Sequence, residues 1–257
     1  MVRVVIGTLS VERASEVNTP EQAELENTLL LLVKKEDAAD VIVTSSSYFP
    51  TKKALERFAK EINKLANCTT YIIATVGALG DDLVYAVKPN GEFRELAKQQ
   101  FNVADKYNAA EGNFLKSLHR RYFKVKVEGD RELLASVLSC GEINAFQGRL
   151  AVEARHRDIE DHYSKADLIF NPTHDRMGND GVLIAKRLHL SREIDNRQRC
   201  YVSVSNWETV NKNQTSKAET LHTVYSSNFQ ERNETMNYLA HNDLADNFEY
   251  RQKVVDL

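Results

Sequence analysis

The chain has 257 residues, of which 42% are hydrophobic and 28% charged, with four prolines and ten glycines. That length and apolar content suit one globular α/β domain over residues 1–257 and leave no room for a long flexible linker. A net charge of −3 excludes a global attraction to nucleic acid or an anionic membrane, and no apolar run approaches the roughly 20 residues that cross a bilayer.

In chain order, Val2–Ile6 reads as a buried first strand without the pattern of a signal peptide. Thr19 as cap, Pro20 at the first helical position and Gln22 at capping-box spacing predict a helix over Glu21–Lys35. Leu25, Leu29, Leu32 and Val33 then share one face. Ala39–Val43 is a second strand, and Thr51–Ala66 a second helix with Leu55, Phe58, Ala59, Ile62 and Leu65 at helical spacing. Tyr71–Val76 and Leu83–Lys88 follow as strands, and Pro89-Asn90-Gly91 as a turn.

The pattern weakens over Phe101–Gln147. Within it, Leu118–Val127 alternates charged and apolar residues, which predicts a strand with one solvated face. Its alternative reading is a basic-aromatic strip in which Arg120, Arg121 and Lys124 meet nucleic acid. Ala151–Ala154, Leu168–Phe170 and Tyr201–Val204 are three more short apolar runs with helical patterns between them, the alternation of an α/β fold. Residues 211–257 form a polar tail, and its last stretch, Tyr250–Leu257, is predicted to dock as a strand. Cys68, Cys140 and Cys200 are far apart and odd in number, which implies reduced thiols in a cytoplasmic protein.

Several stretches together carry a family resemblance. Ala39-Asp40-Val41-Ile42-Val43 resembles the "ADLxVFPE" strand of the nitrilase superfamily, the carbon–nitrogen hydrolases. Val84–Gly91 resembles that family's turn motif, Gly148-Arg149-Leu150-Ala151-Val152 its "GRIGVxICxD" strand, and Ala166–Pro172 its "GADLIxxP" strand. Arg192–Asn196 with Cys200-Tyr201-Val202 and Asn206 is similar to "ARAxENxCYVVxxN". The resemblance spans Val2 to Asn206. It implies a four-layer α-β-β-α sandwich and a homodimer or larger homo-oligomer.

Members of that family use a cysteine nucleophile, a glutamate base and a lysine, three roles with different chemistry that must meet within hydrogen-bond reach. Counting along the motifs puts Ser46 at the glutamate's place, Lys98 at the lysine's and Arg155 at the cysteine's. The three are expected to converge at the strand ends. Glu153, His156, Asp158 and His174 are further candidates for the cleft, with Asp158 and His162 four apart on one helical face. No metal-ligand spacing is present, and no cofactor is expected.

With serine and arginine at two of the three places, the reading is a catalytically silent nitrilase-like protein, a scaffold or binding subunit that also meets other protein subunits. The alternative is an active hydrolase of amide-type carbon–nitrogen bonds that uses a shifted set of residues. A further alternative is a nucleic-acid-associated or bacterial-defence accessory domain.

Overall fold

The computed structural model describes residues 2–12, 22–35, 38–77, 82–128, 131–174, 181–206, 208–211, 214–216, 221–227, 244 and 247–257. The predicted cap at Thr19 and Pro20 lies outside them, as does much of the polar tail.

Two sheets stand face to face. The first has six strands: β1 (Arg3–Val11), β2 (Val41–Thr44), β3 (Tyr71–Val76), β4 (Leu83–Val87), β5 (Phe93–Lys98) and β15 (Phe248–Asp256), in the order β15-β1-β2-β3-β4-β5. The second has β6 (Phe123–Val127), β7 (Arg131–Val137), β10 (Leu168–Thr173), β11 (Cys200–Ser205) and β14 (His222–Ser226), in the order β14-β11-β10-β7-β6. Two small ribbons, β8 (Phe146–Gln147) with β9 (Glu153–Ala154) and β12 (Glu208–Asn211) with β13 (Gln214–Ser216), stand apart from both.

The strand sequences dictate the layers, because successive side chains point to opposite faces. In β2, Val41 and Val43 face the second sheet, while Ile42 faces outward. In β10, Leu168 and Phe170 face inward and Ile169 outward. Every residue of β2, β3, β10 and β11 is buried, so these strands are predominantly apolar and covered on both faces rather than half-solvated. Each large apolar side chain so buried contributes about 1.5–3 kcal/mol.

Helices cover both outer faces. On the first sheet lie α1 (Gln22–Val33) and α2 (Lys52–Asn63), through Leu25, Leu29, Leu55, Phe58 and Ile62. Thr51 caps α2 by accepting from Ala54 N at 3.3 Å. On the second lie α3 (Tyr107–Ser117), α4 (Arg157–Tyr163) and α5 (Gly181–Ser191), through Phe114, Ile159, Tyr163, Leu183 and Leu190. The result is the expected α-β-β-α sandwich. The terminal strand docks as predicted: β15 pairs antiparallel with β1 from Arg3↔Asp256 to Val11↔Phe248. No described helix is long and apolar enough to cross a membrane.

One expectation fails. Ala151–Ala154 is not a buried strand. Gly148 turns the chain at φ 94, Leu150 is fully exposed, and only Glu153–Ala154 pair, with Phe146–Gln147. The strand beside β10 is instead β7, in register Leu168↔Ala135 to Phe170↔Val137. The alternation expected in Leu118–Val127 falls on β6, with one buried and one solvated face. Lys124 and Lys126 are on the solvated face of β6, with Lys124 paired to Glu132 at 2.6 Å. Arg121 is fully buried against Glu142 at 2.6 Å and cannot meet a phosphate.

Candidate functional site

The two sheets are joined at the carboxyl ends of β2 and β10. Ser46, just past β2, donates its N–H to Thr173 O at 3.0 Å, and its carbonyl accepts from Asn206 Nδ2 at 3.1 Å. Here Asp82, which precedes β4 and is 1% exposed, accepts a hydrogen bond on each oxygen. Ser46 Oγ donates to Oδ2, and Ser47 Oγ donates to Oδ1 at 2.6 Å. Ser47 holds a left-handed φ of 54, a conformation that costs a non-glycine residue free energy and that clusters at functional sites.

Cys140, three residues past β7, lies close enough to feel the charge of this carboxylate. Its turn is held from every side. Gln99 Nε2 donates to Cys140 O at 2.5 Å. Gly141 supplies φ 78, and a Cβ there would run into the Asn102 carbonyl. The buried Glu142 carboxylate accepts from Ser139 N at 2.8 Å and Gln100 N at 2.9 Å. It also accepts from Arg121 Nη1 at 2.6 Å and Nη2 at 3.1 Å. A fork-to-fork pair of this kind fixes direction as well as energy.

The thiol itself is partly exposed. His174, at the end of β10, donates its backbone N–H to Cys140 Sγ at 3.3 Å. Its ring Nδ1 lies 2.7 Å from Asn206 Oδ1. Burial pushes the Cys140 thiol up to about 11; the His174 N–H pulls it back, and the Asp82 and Glu142 charges add to the rise. The thiol is therefore protonated at neutral pH and needs a base to become a nucleophile. A carboxylate whose charge is felt at the sulfur, and an imidazole on the residue that touches it, are the groups such chemistry uses.

Of the three residues expected to converge, Ser46 lies here, as does the cleft candidate His174. Lys98 ends β5 with an exposed side chain, across the ladder from Leu83 and so one residue along from Asp82. Arg155 does not reach the site. It follows β9, donates to Asn144 O at 2.9 Å and lies over the Tyr107 ring at 5.3 Å, outside the second sheet. The count along Gly148–Val152 fails because that stretch is a loop.

Glu153 is exposed beside Gln147, to which it is bonded at 2.9 Å. His156 caps α4, its Nδ1 accepting from Asp158 N at 3.1 Å. Asp158 points to solvent, whereas His162 stacks on Tyr122 in the interior, so the two do not share a site. Among the described residues, no three His, Cys, Asp or Glu side chains gather to hold a metal ion.

Sequence reasoning missed Asp82, Cys140 and Glu142. The signal was present in Val137-Leu138-Ser139-Cys140-Gly141-Glu142, which resembles the cysteine strand's "VxICxD" with serine for isoleucine and glutamate for aspartate. The strand that bears it is the parallel neighbour of the "GADLIxxP" strand, β10. The fold is an α-β-β-α sandwich, the class that the resemblance implies.

Solved structures similar to this chain include a mutant of the Nesterenkonia AN1 amidase from the nitrilase superfamily. It is 12% identical with a TM-score of 0.49, the match covering 80% of this chain and 78% of that one. A glutamine-dependent NAD(+) synthetase from Cytophaga hutchinsonii is 12% identical with a TM-score of 0.46, over 87% of this chain and 42% of the other. An N-terminal amidase with a Gln-Gly peptide is 14% identical with a TM-score of 0.41, over 68% and 48%. No protein-family model and no curated protein matches the sequence.

Proposed function

We propose that this chain is a cysteine-dependent hydrolase of amide-type carbon–nitrogen bonds that uses a shifted residue set, with Cys140 as nucleophile and Asp82 as its base. The observation that carries this reading is a partly exposed thiol that feels the charge of a buried carboxylate held in place by Ser46 and Ser47. Ser46 stands where the resemblance implies a glutamate, and it presents Asp82 instead. The carboxylate has changed its place in the sequence but not its place in the fold.

The chemistry follows from the groups present. Cys140 Sγ attacks the amide carbon as its proton passes to Asp82. The charge that develops on the carbonyl oxygen needs a positive partner. Lys98, next to Asp82 across the β4–β5 ladder, is the cation best placed to supply it. Loss of the amine leaves a thioester on Cys140, which water then hydrolyses.

A second reading, the catalytically silent scaffold, is favoured by the exposed side chain of Lys98. Ammonia release from propionamide and longer aliphatic amides separates the two. The hydrolase reading expects turnover that Cys140→Ser abolishes and Asp82→Asn lowers by 100-fold or more. Release that is absent, or that is indifferent to both changes, supports the scaffold.

The same reading includes assembly as a homodimer with a two-fold interface, because isologous contacts close on themselves. Light scattering is then expected to give twice the 29.2 kDa chain mass.

A further inference from the structure

We propose that His174 is a second acid–base group of the site, serving the leaving amine and the attacking water while Asp82 serves the thiol. This rests on the reading of Cys140 as the nucleophile.

Two contacts set the tautomer of His174. Asn206 Nδ2 donates to Ser46 O at 3.1 Å, so the amide's nitrogen faces the first sheet and its oxygen faces the imidazole. That oxygen, Oδ1, lies 2.7 Å from His174 Nδ1, and an amide oxygen only accepts. Nδ1 must therefore carry the hydrogen, and Nε2 becomes the nitrogen that gains and loses a proton. A histidine whose one nitrogen is fixed by a neutral partner, so that the other can exchange protons with substrate, is the logic of catalytic Cys-His and Ser-His pairs.

The placement is equally specific. Contacts run from Cys140 to His174, to Asn206, to Ser46, to Asp82, and the charge of Asp82 acts back on Cys140. His174 comes from the second sheet and Asp82 from the first, so the thiol is flanked from both layers. A scheme with one carboxylate would require Asp82 to serve sulfur, nitrogen and water in turn. Both its oxygens are held by serine hydroxyls, and a carboxylate fixed in this way serves one direction.

The proton ledger closes with two groups. As the S–C bond forms, the thiol proton goes to Asp82, leaving a neutral acid. As the C–N bond breaks, His174, starting as the imidazolium, gives its Nε2 proton to the departing amine and becomes neutral. Water then attacks the thioester carbon and gives a proton to His174. The C–S bond breaks, and the sulfur recovers its proton from Asp82. One amide and one water become one acid and one amine, and both groups return to their starting states.

The test compares two probes on His174→Asn, which keeps a donor toward Asn206 but lacks Nε2. With propionamide, whose nitrogen must be protonated to leave, kcat is expected to fall at least about 100-fold, and the pH profile to lose a limb. With p-nitrophenyl propionate, whose phenolate leaves unprotonated, the first-turnover burst is expected to survive while later turnovers slow. His174→Gln, with a donor at the other position, serves as a second variant should the first fail to fold.

Equal loss of the amide reaction and of the ester burst in both variants would overturn the proposal and make His174 structural, as would no loss of either. Absence of any Cys140-dependent burst in the wild type would overturn the reading of Cys140, and this proposal with it. An intact burst with unchanged amide turnover would overturn only the role of His174.

Discussion

His174 donates its backbone N–H to the sulfur of Cys140 at 3.3 Å, tying the end of β10 to the turn after β7. Parallel pairing of these two strands, Phe170 opposite Val137, delivers both residues to the same end of the sandwich. A partly exposed thiol, a buried carboxylate and an imidazole thus meet where the two sheets join.

The ionisation of Cys140 provides the first expectation. Its thiol is held near 11 by burial, with Asp82 and Glu142 contributing. Only the thiolate reacts, so alkylation by iodoacetamide should rise roughly tenfold per pH unit from 7 to 10. Asp82→Asn removes a negative neighbour that disfavours the thiolate. The thiol should then titrate at lower pH, and alkylation at pH 7 should accelerate. The shift is partial because burial, the largest cause, remains. An unchanged rate in the variant would place Asp82 away from the sulfur.

The brace behind the nucleophile should be costly to break. Glu142 and Arg121 are both fully buried. Glu142→Ala leaves an uncompensated guanidinium, and loss of one partner of a buried pair costs about 3–5 kcal/mol. Chemical denaturation measures this. A change below about 1 kcal/mol, the ordinary size for a surface pair, would mean that the pair is solvated.

Gly141 is a sharper probe of the same turn. Gly141→Ala would have to hold φ 78 with a Cβ against the Asn102 carbonyl. It should lower both stability and the reactivity of Cys140, since the turn must open to admit the methyl group. Gly112, where a Cβ would meet nothing within 4 Å, is the control: Gly112→Ala, in α3, should be neutral or stabilising.

Acid stability should report His162. Burial, then the nearby Arg121 and Lys165 charges, pushes its pKa down to about 3. The folded state therefore refuses a proton that the unfolded state, near 6.5, accepts. Its stability contribution is fully present above about 6.5 and is lost as pH falls toward 3, at up to about 1.4 kcal/mol per pH unit. Replacing His162 with Phe should flatten this slope in a denaturation series from pH 7 to 4. An unchanged slope would assign the acid sensitivity to carboxylates.

Most of the sandwich was legible because its central strands carry strong signals. Ala39–Val43, Tyr71–Val76, Leu168–Phe170 and Tyr201–Val204 are apolar runs of strand length, and Leu55, Phe58 and Ile62 have helical spacing. What misled was Gly148–Val152, where a loop copies the residues of a strand. Its neighbour β7 opens with Arg131-Glu132 and so hides a buried strand behind a polar start. The motif was thereby counted onto a segment that forms no strand of either large sheet. Asp82 was invisible for a different reason. It stands alone just before β4, in no motif, and only the fold brings it to Ser46.

Intact-protein mass spectrometry after incubation with fluoroacetamide tests the central claim most directly. A small amide carrying an electrophilic carbon should modify Cys140 once per chain, with peptide mapping placing the adduct there and Cys140→Ser preventing it. Cys200, fully buried and with its thiol pushed up by burial alone, should remain unmodified. Modification confined to Cys68, or of the wild type and Cys140→Ser alike, would contradict Cys140 as the nucleophile and return the chain to a silent scaffold.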